Sequence, residues 1–310
     1  MSNLILHQYT ESPFSEKVRA LLGFKNATYQ QVETSVIMPR DALMPLTGGY
    51  RRIPVMQAGA DIYCDTAIMC RVIDAQYPEN SIYPQSRQAV VESCALWTDT
   101  FFFTVCVAVA FQPASLANEP LFKDEESAAA FMADRAQLSE GSNQLTMPFE
   151  IAEPHFISHL TSLERQLGAS AWLFGDEPTI ADFSTYHILW FIDRRPVLQH
   201  YFEPFPNVRA WYERIRAFGH GNVETLSGEQ ALGIAAASEP AGISDPVIPQ
   251  GFTSGQQVSV MPIDYGFQPV NGGLLTASTD EIALARNDRQ AGSIVVHFPR
   301  MGFQLNPVTV

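Results

Sequence analysis

The sequence predicts an α/β domain, then an all-helical domain, then a small β-rich C-terminal appendix, along 310 residues. Three observations carry this reading. Strand and helix signals alternate from residue 3 to about 80, helical apolar spacing holds from Gln85 to Gly219, and β-like runs follow a Pro-, Gly- and Ser-rich stretch over 238–256. The implied division is 1–80, 85–220, a linker over 221–256 and a small domain over 257–310. The length suits two ordinary domains with a small third.

Leu4–Tyr9 reads as a strand, followed by a helix from Pro13 to about Phe24 with Val18, Leu21 and Leu22 on one face. A second strand falls near Tyr29–Glu33, and Pro39–Met44 reads as a short helix or loop. Pro54–Gln57 and Asp61–Cys64 flank Ala58-Gly59-Ala60 as an antiparallel hairpin. A third helix opens at Asp65 and runs to about Tyr77, stopped by Pro78. The order βαβ then ββα describes a thioredoxin-like sheet with helices on both sides.

Helical spacing recurs over Gln85–Phe111, Glu125–Ala136, Glu150–Leu167, Ile180–Phe191 and Asn207–Ala217, and Ser139–Met147 reads as an exposed connection. Thr179-Ile180-Ala181-Asp182 has the form of a capping box, a folding signal. The appendix offers strands at Val258–Ile263, Leu274–Ser278, Glu281–Arg286 and Ser293–Phe298, with Asn287–Gly292 as a hairpin turn. An antiparallel unit of about 60 residues is only marginally stable alone, so it is expected to pack on the rest.

Hydrophobic residues make up 46% and charged residues 17%, the balance of a soluble globular chain. A formal net charge of −14 argues against non-specific binding to nucleic acid or an anionic membrane, so an anionic ligand needs a local cluster of donors. The start lacks the basic region of a secretory signal, and the apolar run Phe101–Phe111 is too short to cross a bilayer. The cysteines, Cys64, Cys70, Cys94 and Cys106, have no metal-ligand spacing, and His155, His159 and His187 have no evident partners. A reduced cytoplasmic protein without a metal is the expectation.

Three short segments carry chemistry. Ser12 precedes Pro13 at the opening of the first helix, where free backbone N–H groups and the positive dipole end favour an anion. Lowering a thiol pKa by about 2 units takes about 2.7 kcal/mol. One charge-assisted hydrogen bond of about 1.5–3 kcal/mol with a helix-end contribution of about 0.3–1 kcal/mol is enough. Ser12 is equally an ordinary N-cap. Ile53-Pro54 can form a cis turn that offers the backbone of Ile53 to an extended peptide, or a plain trans proline at a strand start. Asp65-Thr66 opens the next helix and suits an α-amino acid end, ammonium on Asp65 and carboxylate on Thr66 and the helix amides, or serves only as a cap. Arg40, with Arg51 and Arg52, is available for a second carboxylate.

Ser12-Pro13-Phe14-Ser15-Glu16-Lys17-Val18-Arg19, Ile53-Pro54-Val55, Asp65-Thr66 and the Thr179–Asp182 box, in this order, resemble the cytosolic glutathione transferase family over about residues 1–220. The resemblance implies a thioredoxin-like domain that binds glutathione as co-substrate, an all-helical second domain and a homodimer. It implies Ser12 as the residue that stabilises the glutathione thiolate, with Phe14, Arg40, Ile53, Pro54, Asp65 and Thr66 in the binding site. Serine rather than cysteine at position 12 favours conjugation to a small apolar electrophile, as in detoxification, over disulfide exchange. The electrophile pocket is expected between the domains, walled by Phe14, Trp97, Phe101, Phe102 and Trp190. The sequence departs from the family in its Leu46–Arg52 loop, in Asp65-Thr66 for the usual acidic-serine pair, and in the β-rich tail. A non-catalytic binding or scaffold protein, or a glutathione-dependent lyase or dehalogenase, would share these features.

Overall fold

In the computed structural model, which describes residues 3–116, 122–142 and 146–308, strand β1 (Leu4–Gln8) lies inside a ten-stranded sheet. All five of its residues are buried. Alternation sends Leu4 and Leu6 into the core shared with the helical domain and Ile5 to the opposite face. β2 (Thr28–Glu33) pairs with β1 in parallel, while β3 (Val55–Ala58) runs antiparallel to β1 and β4 (Asp61–Cys64) antiparallel to β3. With α1 (Pro13–Phe24), the short α2 (Met44–Thr47) and α3 (Thr66–Gln76), the N-terminal domain has the expected thioredoxin-like order.

The helical domain comprises α4 (Gln88–Trp97), α5 (Phe103–Ala110), α6 (Pro113–Leu116), α7 (Glu125–Leu138), α8 (Phe149–Leu167), α9 (Ile180–Asp193) and α10 (Pro206–Arg216). α9 is its axis, buried along almost its whole length. Its capping box forms as expected: Thr179 donates to Asp182 from its backbone N–H at 2.9 Å and its hydroxyl at 3.0 Å. The other Asp182 oxygen accepts from Leu173 N and Trp211 Nε1, both at 2.9 Å, so one carboxylate ties the helix start to a loop and to α10. Gln85–Ala110 is long and apolar enough to span a bilayer, more than the sequence suggested, yet its helices pack against α8 and α9. Part of the connection expected over 139–147 lies outside the described residues.

The C-terminal part departs from expectation. Residues 221–236, read as linker, hold β5 (Asn222–Thr225), parallel to β2, and α11 (Gly228–Ala236), which buries Ala231 and Ala235. Both had local signals. Ser227 and Gln230 form a capping box, and Gly221 takes φ 73° where a Cβ would lie 2.6 Å from the Ala27 carbonyl. The strands β6 (Gln257–Pro262), β7 (Val270–Ala277), β8 (Glu281–Asp288), β9 (Gly292–Pro299) and β10 (Phe303–Pro307) form the β-rich tail, with the expected turn between β8 and β9. They continue the thioredoxin-like sheet. β9 pairs in parallel with the outer edge of β4, giving the order β10-β6-β7-β8-β9-β4-β3-β1-β2-β5. A second core, including Val55, Ile62, Leu274, Val296 and Phe298, runs beneath the join.

His297 sits on that join, opposite Tyr63, with its ring stacked on the Tyr63 ring at 4.6 Å. It is 5% exposed, with Nε2 3.1 Å from Asp61 Oδ1 and Nδ1 3.3 Å from Glu281 Oε2. Burial works to lower its pKa, but the hydrogen bonds and charges of Asp61 and Glu281 outweigh burial and raise it. A folded pKa above the unfolded value of about 6.5 gives stability that is complete below that value and lost as pH rises through the folded pKa. Wild type is therefore expected to exceed His297→Gln by about 2 kcal/mol in urea unfolding at pH about 5.5, and by clearly less at pH about 9. An equal difference at both pH values would contradict this.

Candidate active site

The site begins where β1 hands over to α1. Ser12 is the N-cap of α1, 2% exposed, and its Oγ accepts from Ser15 N at 3.1 Å. A hydroxyl has one proton and two lone pairs, so capping uses an acceptor position and leaves the Ser12 proton to donate. Cap and site are thus compatible roles for one residue. Ser15 faces neither of the two cavities described below.

The Ile53–Pro54 bond is cis. Ile53 stands just ahead of Val55, where pairing with β1 begins, so its main-chain groups lie beyond the ladder. Asp65 has φ 89°, a left-handed value rare for a side-chain-bearing residue, and such conformations concentrate at functional sites. Its carboxylate caps α3 by accepting from Ala67 N at 2.9 Å and lies 3.9 Å from Arg52 Nη1. Burial pushes the Asp65 pKa up, against the opposing effects of Arg52 and the Ala67 N–H.

Beneath Asp65 and Thr66 lies a charge network that local sequence signals did not reveal. Lys17, on α1 and fully buried, donates to Asp99 Oδ2 at 2.6 Å and reaches Thr66 Oγ1 at 3.5 Å. Asp99 Oδ1 is 2.9 Å from His187 Nε2, and Ser184 Oγ donates to Oδ2 at 3.3 Å. Burial opposes every charge here. For Asp99, Lys17 and His187 outweigh burial and hold its pKa below the usual carboxylate value, and for Lys17 the Asp99 charge outweighs burial and raises it. For His187 burial prevails and lowers its pKa, favouring the neutral ring. The network joins α1, α3, α9 and the π-turn at 98–102.

The tail closes the other side. Arg52 Nη2 donates to the Asp264 carboxylate and to the Tyr265 carbonyl, and its guanidinium lies 3.8 Å from the Tyr265 ring centroid. Gly266 N donates to Leu138 O at 2.9 Å, anchoring this turn to α7. Arg71 spans from α3 to Glu92 on α4 at 2.9 Å and to Asp280 of the tail at 3.0 Å. Arg40, expected at a ligand carboxylate, is placed differently. Its Nε, Nη1 and Nη2 donate to the carbonyls of Ser35, Arg51 and Val36, so it shapes the loop and lines neither cavity.

Two cavities of about 390 Å³ each meet here. One is a cleft containing Lys17, Pro54, Asp65 and Thr66, closed by tail residues such as Asp280 and Met301. The other contains Ser12 and is largely apolar, walled by Phe103, Val107, Phe111, Phe131 and Phe191. Phe14, Arg52, Ile53 and Tyr265 line both. Of the expected site residues, Ser12, Phe14, Ile53, Pro54, Asp65 and Thr66 come together. Of the expected aromatic walls only Phe14 does so; Trp97, Phe101, Phe102 and Trp190 line neither cavity. A π-helical turn over Thr98–Phe102 adds a residue before α5, whose Phe103 and Val107 face the cavity, while Trp190 on α9 lies under Arg19 and Arg194. Trp97 and Phe101 instead pack beside His159 and His155 of α8.

This architecture is a thioredoxin-like sheet domain joined to an all-helical domain, with a β-rich C-terminal extension. Residues 6–81 match the glutathione S-transferase N-terminal domain and residues 126–214 the C-terminal domain, and the chain belongs to the glutathione S-transferase family. It is similar to a GST-like protein from Pseudomonas syringae, with 36% identity, 99% of this chain and 100% of that chain covered, and a TM-score of 0.83. That coverage includes the β-rich tail. A glutathione S-transferase from Rhodospirillum rubrum F11 shares 20% identity over 69% of this chain and 88% of that one, with a TM-score of 0.50. The beta-etherase LigF from Sphingobium sp. strain SYK-6 shares 19% identity over 69% and 95%, also with a TM-score of 0.50. These two show the fold alone. No curated protein matches the chain.

Asp99→Ala would leave the buried Lys17 ammonium without its carboxylate, a change that costs about 3–5 kcal/mol. Urea unfolding should record a loss of that size, and a loss under about 1 kcal/mol would show that the pair does not carry the network.

Proposed function

We propose that this chain is an active glutathione transferase that conjugates the glutathione thiolate to a small apolar electrophile. Glutathione lies in the cleft, its cysteinyl main chain on Ile53 and Pro54. Its γ-glutamyl end meets Asp65, Thr66 and the first amides of α3. An ammonium ion suits the half-buried Asp65 carboxylate, and Lys17 adds positive charge under Thr66 for the adjoining carboxylate. With Arg40 committed to the loop, Arg52 is the guanidinium available to the glycyl end.

The sulfur then lies at the junction of the two cavities. Ser12 donates its proton to it, and the start of α1 adds a favourable field. The thiol proton leaves to solvent, the thiolate attacks an electrophilic carbon, a C–S bond forms, and the leaving group departs with its electron pair. The apolar second cavity favours flat or aliphatic electrophiles and keeps water from the anion, which strengthens each hydrogen bond to it.

The observation that carries this reading is the Ser12 hydroxyl, buried at a helix start yet using only an acceptor position among the described residues. Ser12→Ala is expected to lower kcat about 100-fold, the loss typical of one donor to a developing anion. The cap costs only about 1 kcal/mol, so the fold and glutathione affinity should persist. Steady-state kinetics with chlorodinitrobenzene and calorimetric glutathione binding test both halves; undiminished kcat would remove Ser12 from the reaction. Failure of the folded wild type to bind glutathione would favour a binding or scaffold role for the fold.

A further inference from the structure

Tyr265 belongs to the tail, outside both matched domain segments, yet it stands at the meeting point of the two cavities. A sulfur held by a peptide in one cavity and attacking a molecule in the other must lie where the two join. Four residues line both: Phe14, Arg52, Ile53 and Tyr265. Phe14 and Ile53 have apolar side chains. Arg52 Nη2 is engaged with Asp264 and the Tyr265 carbonyl, and its remaining N–H groups are those assigned above to the glycyl carboxylate. That leaves the Tyr265 phenol, whose hydroxyl makes no hydrogen bond among the described residues. Tyr9 also borders the apolar cavity but not the glutathione cleft.

We propose that Tyr265 is a second catalytic residue, donating its phenolic hydrogen to the glutathione thiolate alongside Ser12, so that the tail completes the active site. This rests on the reading of the cleft as a glutathione site. The ring is fixed for the task. Arg52 lies over its face at 3.8 Å, its backbone N–H donates to Asp264 Oδ1 at 2.9 Å, and the next residue, Gly266, is bonded to Leu138. The charged groups around it are Arg52 and Asp65 from the first domain, Arg135 from α7 and Asp264 from its own turn. Burial, aided by Asp264 and Asp65 and opposed by Arg52 and Arg135, raises its pKa, so the phenol keeps its proton at neutral pH and is a donor.

A hydroxyl at this junction acts only when sulfur is there and charged. Removing it should therefore change the ionisation of bound thiol more than the affinity for the peptide. Tyr265→Phe keeps the ring over Arg52 and deletes only the donor.

The test uses the full chain, wild type and Tyr265→Phe, each saturated with glutathione and titrated by the ultraviolet absorbance of the bound thiolate. The bound thiol pKa should rise by about one unit in the variant. With chlorodinitrobenzene, kcat near pH 6.5 should fall about 5–10-fold, with the loss shrinking at higher pH and the glutathione KM within about twofold. A depressed thiol pKa in wild type that is unchanged in Tyr265→Phe would overturn the role of Tyr265 and leave the transferase reading standing. An unshifted thiol pKa in wild type, or no glutathione binding, would overturn both. If Tyr265 were only packing, Phe would reproduce the wild-type titration.

Discussion

The guanidinium of Arg52 is the point on which the site's shape depends. One side lies near Asp65 at the mouth of α3, and the other is held by the carboxylate of Asp264 and the carbonyl and ring of Tyr265. Hydrogen bonds to a charged group contribute about 1.5–3 kcal/mol each, and a desolvated cation–π contact about 2 kcal/mol. These contacts join residues 212 positions apart in the chain. Pairing of β9 with the edge of β4 brings the tail beside the first domain, so the sheet closes most of the loop that the Arg52 contacts span. The result is a cleft whose outer wall comes from the same chain.

Inside that wall the buried charges are paired. Lys17 is matched by Asp99, Asp99 by His187 and Ser184, and Glu16 by Arg19, Tyr186 and His220. Such networks fix geometry as much as they stabilise, since a buried charge that loses its partner is strongly unfavourable. Groups with spare hydrogen-bonding capacity therefore stand out. Ser12, with no donated hydrogen bond among the described residues, lines the apolar cavity, and Tyr265 lines both cavities.

Much of this was legible in the sequence where the signal was local. Ser12-Pro13, Ile53-Pro54 and Asp65-Thr66 each mark the end of one element and the start of the next, so their chemistry and their place in the fold share one cause. The alternation of strands and helices over residues 3–80 gave the sheet for the same reason. What escaped depends on distant pairing. Lys17 sits within a quoted motif, but its partner Asp99 is 82 residues away. Arg40 and Arg52 are equivalent as sequence, and only the loop carbonyls and the tail turn decide which faces the cleft. A helical projection of residues 97–103 gives the wrong aromatic face because one π-turn shifts the phase. The tail's strands were visible, but the parallel join of β9 to β4 leaves no local trace, and its Tyr265 carried none of the familiar marks of a site.

On the proposed function, glutathione lies in this cleft with its sulfur against Ser12 at the meeting of the two cavities. A crystal structure of the full chain with glutathione tests it most directly. Sulfur is expected within hydrogen-bonding reach of the Ser12 hydroxyl, with the cysteinyl main chain paired with Ile53 and the γ-glutamyl end on Asp65 and Thr66. Glutathione bound elsewhere, or bound in the cleft with its sulfur turned away from Ser12, would contradict it.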